Sequence, residues 1–125
     1  MHELTERGHT VELAGIVYHL GENDMSYGPF RRESIAQLAS LIAQIRKDLG
    51  LPSLPWFVSQ QPPTDDKDLN AIDVTAELER LAAADPHLVH IKAFDLPGRE
   101  SQLVITTSGI VALGEQLAAA CLRKR

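Results

Sequence analysis

Ile35, Leu38, Ile42, Ile45 and Leu49 recur at intervals of three and four residues, and this stripe lies between two short apolar runs. The spacing places five apolar side chains on one face of an α-helix of roughly 18 to 22 residues. Gly50 supplies its C-terminal stop and Pro52 prevents continuation. The run before it, Leu13 to His19, ends at the Gly21 turn, and the run after it is Pro55 to Gln60, Pro-Trp-Phe-Val-Ser-Gln. Both read as strands, the first buried on both faces of a parallel sheet. A polar, Pro- and Asp-rich loop from Gln61 to Asn70 follows. Val74, Leu78 and Leu81 then mark a second helix, capped by Asp73 and stopped before Asp85-Pro86. Leu88 to Phe94 is a third strand. A last helix carries Ile110, Leu113, Leu117 and Cys121 on one face, with Thr106, Thr107 or Ser108 as its cap.

Strand, helix, strand, helix, strand, helix is the order of an α/β chain with right-handed crossovers. The expected fold is a three-layer sandwich around a small parallel sheet. Three strands leave a sheet edge that natural proteins cover or pair. The expectation is therefore that the domain, residues 13–122, is truncated at its N-terminus, with a polar segment, residues 1–12, in front. Either a homo-oligomer or a further N-terminal segment would cover the edge.

Composition narrows the function. The 125 residues carry a formal net charge of −5 and 44% hydrophobic residues, enough for one modest core. An acidic chain without clustered Lys and Arg lacks the footprint of a nucleic-acid or anionic-membrane binder. The tail Arg123-Lys124-Arg125 suits a helix C-terminus. No apolar run approaches the roughly 18 residues of a membrane span. The start, Met1-His2-Glu3-Leu4-Thr5-Glu6-Arg7, is too polar for a secretory signal, so the chain as written reads as cytoplasmic. A signal in residues upstream would make it secreted or periplasmic. The single cysteine, Cys121, excludes an internal disulfide and a Cys-rich zinc site, and reads as a small core hydrophobe.

Chemistry is concentrated at the end of the first strand, in Tyr18-His19-Leu20-Gly21-Glu22-Asn23-Asp24. In α/β proteins backbone groups and side chains converge beyond the carboxyl ends of the strands. Gly21 permits a tight turn, and polar groups after it cap a helix, close an Asx turn or face a ligand. His19, Glu22 and Asp24 do not put three metal ligands on one face at this spacing, and no metal or other cofactor is expected. His87 and His90 flank the third strand and read as satisfied surface or core residues. Asp65-Asp66-Lys67-Asp68 lacks the glycine and closing glutamate of a calcium loop. No Gly-rich loop joins a strand to a helix to hold phosphate. Arg31 and Arg32, at an unfavourable helix N-terminus, are expected to turn to solvent or to a carboxylate such as Glu33 or Asp24.

Gly15-Ile16-Val17-Tyr18-His19-Leu20-Gly21-Glu22-Asn23-Asp24 resembles the Trp-His-Gln-Gly-Glu-(Ser/Asn)-Asp segment of the sialate O-acetylesterase-like carbohydrate esterases, a branch of the SGNH/GDSL hydrolases. The likeness continues through Leu41-Ile42, Ile45-Arg46-Lys47-Asp48-Leu49-Gly50, Leu54-Pro55-Trp56-Phe57-Val58 and Leu81-Ala82-Ala83-Ala84-Asp85-Pro86. It closes on Thr107-Ser108-Gly109, Leu113-Gly114 and Leu117-Ala118, and so covers about residues 13 to 122. The resemblance implies a flavodoxin-like, SGNH-type fold and hydrolysis of acetyl esters on sugars by a Ser-His-Asp mechanism. It makes Gly21 and Asn23 oxyanion candidates, and His19, Glu22 and Asp24 candidates for binding an O-acetylated carbohydrate.

The sequence departs from the family where the chemistry is most demanding. No serine in a strand-turn-helix setting precedes Gly21. Alignment on the closing helix puts Ser101 where the family has Asp and Val104 where it has His, with Glu100 one residue off the Asp position. A valine accepts no proton. Leu20 replaces the Gln before Gly-Glu, and Thr75 and Leu78 stand where relatives often carry Arg and Gln. The expectation is a chain inactive by itself, either part of a hydrolase whose nucleophile lies elsewhere or a non-catalytic, carbohydrate-binding or interaction module that keeps the fold.

Overall fold

The computed structural model describes residues 2–21, 24–25, 27–62, 73–97 and 105–124. In chain order these hold a short helix α1 (His2–Glu6), strand β1 (Ile16–Leu20), helix α2 (Gly28–Leu49), strand β2 (Trp56–Gln60), helix α3 (Val74–Ala84), strand β3 (Leu88–Lys92) and helix α4 (Thr107–Lys124). The strands pair in parallel in the order β1-β2-β3, with Ile16 opposite Trp56 and Trp56 opposite Leu88. The α/β architecture read from the sequence is thus present, in a three-layer arrangement of the SGNH type.

Alternation along the strands sorts their side chains to two faces. Ile16, Tyr18, Leu20, Trp56, Val58 and Leu88 meet α2 and α3, where Ile35, Leu38, Ile42, Val74 and Leu78 complete the main core. The opposite face meets α4, whose Leu113 packs with Ala93 and Leu96 beyond the end of β3. β2 is the middle strand, and all five of its residues are buried.

Local sequence explains the element ends. Pro29 opens α2 in the first-turn position that needs no N–H, and Gly50 closes it in the left-handed region at φ 64°. Asp73 caps α3 by accepting the Ala76 N–H at 2.9 Å. Thr106 caps α4 by accepting the Gly109 N–H at 3.3 Å. β1 begins at Ile16, later than the apolar run from Leu13 suggests, and Gly15 just before it lies against the Phe57 ring. A Cβ on Gly15 would lie 2.8 Å from Phe57 Cε2 and 3.0 Å from the Pro55 carbonyl oxygen. β3 likewise stops at Lys92, two residues short of the expected Phe94. Ile110 corrects the sequence reading more sharply. It is 59% exposed, while Gly109, Leu113 and Ala120 form the buried side of α4.

The floor of the sheet is held by one cation. Arg46, in the last turn of α2, donates to the Leu54 carbonyl from Nε at 3.1 Å and from Nη2 at 3.0 Å. Its Nη1 lies 2.6 Å from Asp85 Oδ2, and Asp85 Oδ1 accepts the His87 N–H at 2.9 Å. Burial pushes the Asp85 carboxyl up, but the Arg46 and His87 hydrogen bonds outweigh it and hold the group below its ordinary value. Because the folded value is depressed, the carboxylate's contribution is complete above about pH 3.8 and is lost as pH falls through the folded value. Arg46→Met is expected to cost about 2 kcal/mol near neutral pH by urea unfolding. The difference from the parent should shrink once Asp85 is protonated.

Candidate functional site

β1 and β2 end together, so the registered pairs His19–Ser59 and Leu20–Gln60 form two adjacent rows at the carboxyl edge. His19 Nδ1 lies 2.8 Å from Ser59 Oγ, and Ser59 Oγ lies 3.4 Å from the Tyr18 carbonyl oxygen. When the hydroxyl donates to that carbonyl, its oxygen accepts a proton carried on Nδ1, and Nε2 is left as a bare acceptor. Nε2 is buried and has no hydrogen-bond partner among the described residues. Burial lowers the His19 pKa, and the nearby negative charge of Asp24 opposes that shift only in part. Burial also raises the Tyr18 pKa, with Asp24 adding to it. Asp24 is therefore within electrostatic reach of the strand end.

The second row builds a different cluster on the other face. Gln60, fully buried, donates from Nε2 to Thr75 Oγ1 at 2.8 Å, and its Oε1 lies 2.8 Å from His90 Nε2. The amide orientation makes His90 the donor at Nε2. Burial and then the Lys92 charge lower the His90 pKa, against the pull of Glu79. His19 and His90 thus lie on opposite faces of the sheet, and no shared site brings them together.

Beyond the strand ends, Arg31 does not turn to solvent, one of the two outcomes expected for it. Only 2% exposed, it reaches from the first turn of α2 to the Met25 carbonyl, with Nη1 2.6 Å from the oxygen. Ser34 Oγ donates to the Arg31 carbonyl at 3.1 Å. Arg32 faces outward. Burial lowers the Arg31 pKa and Asp73 works against it, yet a guanidinium keeps its proton. The turn that leaves β1 is thus tied to the helix that follows it.

His19, Gly21 and Asp24 are placed at this strand end. Glu22, Asn23, Ser101 and Val104 lie outside the described residues. Leu20 and Leu78, at two of the altered family positions, are 1% and 0% exposed and belong to the same core cluster as Met25 and Val74. Thr75, at the third, is spent on Gln60. On the α2/α3 face the strand ends therefore close over packed side chains, apolar at Leu20 and Leu78 and internally paired at Gln60, Thr75 and His90. Among the described residues no group of three His, Cys, Asp or Glu could hold a metal ion, and no helix is long and apolar enough to cross a membrane.

Ser59 and Gln60 were not among the sequence candidates. Their signal was the polar pair that ends the apolar run Trp56-Phe57-Val58, placed opposite His19-Leu20 once the two strands are parallel and in step.

A parallel sheet with helices on both faces and polar side chains gathered at the carboxyl ends of its strands defines an α/β chain whose candidate site lies at those strand ends. The family model for carbohydrate esterases of the sialic acid-specific acetylesterase type matches residues 1–123, and the chain belongs to that family. A protein from Arabidopsis thaliana, solved by X-ray crystallography at 1.6 Å, shares the fold with a TM-score of 0.71 and 24% sequence identity. The match takes in 98% of this chain and 48% of that one, so this chain spans about half the length of the structure it resembles. No curated protein matches the chain.

Two outcomes follow from the buried polar groups. Both histidines have folded pKa values below the unfolded 6.5, so the unfolded chain binds more protons in this range and stability rises with pH. Urea unfolding is expected to show stability falling as pH drops below about 6.5, with a shallower fall in His19→Gln/His90→Gln. Arg31→Met should cost about 2 to 4 kcal/mol because it strands the Met25 carbonyl. Arg31→Lys should recover part of that loss, and amide exchange at residues 24 and 25 should speed up in both variants.

Proposed function

We propose that this chain forms the oxyanion and substrate wall of a carbohydrate O-acetylesterase site and does not complete turnover by itself. Gly21 and Asn23 would hold the developing oxyanion of an acetyl ester through N–H groups. His19, Glu22 and Asp24 would meet the hydroxyls of an O-acetylated sugar. Membership of the esterase family supports the substrate class. The strand-end position of His19, with Asp24 within electrostatic reach, supports the location.

The observation that carries the lack of turnover is the His19–Ser59 pair. It is the Ser–His hydrogen bond among the described residues, and Ser59 is fully buried on the middle strand. A nucleophile must reach the acyl carbon while its base takes the proton. Ser59 has no exposed surface and its hydroxyl is held between His19 Nδ1 and the Tyr18 carbonyl, so it orients the imidazole instead of attacking. Val104 at the family's base position points the same way. The binding-module reading differs only in what else joins the wall, and the Leu20–Leu78 packing favours it for the chain alone.

Purified chain incubated with p-nitrophenyl acetate or an O-acetylated sialic acid is expected to release acetate at the buffer rate, while the sugar shifts amide resonances at Gly21 and Asp24 in NMR titration. Asp24→Ala should weaken that binding by about tenfold, the worth of one charge-assisted hydrogen bond. Turnover well above buffer that Asn23→Ala removes would mean that the chain is an enzyme alone. Resonances indifferent to the sugar would remove the substrate wall itself.

A further inference from the structure

The start of α2 carries an aromatic pair that the core does not use. Tyr27, the residue before the helix, and Phe30 in its first turn meet edge to face with ring centroids 5.0 Å apart, and they are 55% and 54% exposed. The other ring pair among the described residues, Tyr18 with Trp56, belongs to the main core. Two large rings left half in water add little to folding, and exposed aromatic area grouped in this way is a feature of binding surfaces.

Helical spacing sets Phe30 in line with a groove. Phe30, Ser34, Gln37 and Leu41 follow one another at four, three and four residues, so they share one face of α2. The last three of them, with Leu38, form one wall of a cavity of about 270 Å³, and Tyr18 and Asp24 form the other. Because β1 and β2 are parallel, α2 runs back between them, which puts its first turn at the carboxyl end of β1, the end that also carries Asp24. The cavity is close to the roughly 300 Å³ at which small-molecule sites begin, room for one ring.

The polar groups of this groove are mostly acceptors. Ser34 Oγ already gives its proton to the Arg31 carbonyl at 3.1 Å, so it meets anything else through its lone pairs. Gln37 Nε2 donates to Glu33 at 2.8 Å, which leaves Oε1 to accept. Asp24 only accepts when ionised, and Tyr18, whose pKa burial and Asp24 raise, keeps its proton and donates. No Lys or Arg lines the cavity, so a carboxylate or phosphate would find no counter-charge there and would face Asp24. We propose that the groove is a neutral-sugar subsite, holding an uncharged pyranose next to the acetylated sugar, with its hydroxyls on Asp24, Ser34 and Gln37 and its C–H face on Phe30. The inference rests on the carbohydrate reading for its ligand class, and extends it to a second ring of fixed charge type. A cation would be drawn to the rings and to Asp24, but the Tyr18 donor would contribute nothing to it.

The test is NMR titration of the purified chain with methyl β-D-galactopyranoside, with methyl β-D-galacturonoside, which differs from it by one carboxylate, and with tetramethylammonium. The neutral glycoside is expected to shift the Phe30 ring and the Ser34 and Gln37 resonances, and the galacturonoside to bind about tenfold more weakly. Tetramethylammonium should leave the same resonances in place. Phe30→Ala should weaken glycoside binding by about tenfold and Gln37→Ala by a smaller factor. Ile110→Ala, which removes a comparably exposed apolar side chain from α4, should leave it unchanged. Phe30, Gln37 and Ile110 are all exposed, so the three variants should melt with the parent. Silence of all three groove resonances toward the neutral glycoside would overturn the proposal. So would equal binding of the galacturonoside, a response to tetramethylammonium, or binding that survives Phe30→Ala. None of these probes carries an acetyl group, so the outcome is read separately from that of the O-acetylated sugar at Gly21.

Discussion

Arg46 sets the geometry on which the rest of the domain stands. Its guanidinium joins the end of α2, the entry to β2 at Leu54 and the α3–β3 turn at Asp85, three points that are distant in sequence. A planar fork with five donors can satisfy a carbonyl and a carboxylate at once, which a lysine cannot do. With the amino ends of β2 and β3 tied to one cation, β2 enters the sheet at a defined height. Its five residues are then buried between two neighbouring strands and two layers of helix. The carboxyl ends inherit that alignment, so the side chains of the candidate site depend on a clasp at the opposite end of the sheet.

The same sheet divides what the sequence places close together. His19 and Leu20 are neighbours in the chain, as are Ser59 and Gln60, yet alternation sends one of each pair to either face. The result is two small polar clusters back to back. His19–Ser59 faces the α4 side, and His90–Gln60–Thr75 faces α2 and α3. The second cluster uses both ends of the Gln60 amide, and around it Leu20, Val74 and Leu78 form dry core. Among the described residues, the face lined by His19 keeps at the strand ends a buried polar atom, Nε2, with no hydrogen-bond partner.

Much of this architecture could be read from residue order. The Ile35-to-Leu49 stripe and Gly50 specify α2 because spacing and a left-handed cap are local properties of the chain. The cap at Asp73 is equally local. Readings failed where tertiary contact decides. The apolar stripe of α4 included Ile110, but the helix starts pressed against Ile105 and Pro97, where only Gly109 fits. A Cβ on Gly109 would meet Ile105 Cγ2 at 2.9 Å, so Ile110, about 100° further round, turns outward. Arg31 shows a related limit. Charge at a helix N-terminus argues for solvent or a carboxylate, and the buried Met25 carbonyl that Arg31 reaches is set by tertiary structure, not by local sequence. The candidate site was legible as a place, through Gly21 and the polar run around it. The partnership of His19 with Ser59 was not, because it requires the register of two strands 40 residues apart.

That register has a mechanical origin at the other end of β1. The Phe57 ring lies against the bare backbone of Gly15, closer than any side-chain-bearing residue would allow. The contact works as the zero mark of a ruler. Counted from it, the fourth residue on is always His19, opposite Ser59, and a slip of one place would turn the imidazole into the α2 face while leaving Ser59 beside Tyr18 or Leu20. A position with no side chain, remote from any chemistry, thereby decides which ring meets which hydroxyl at the far end of the strand.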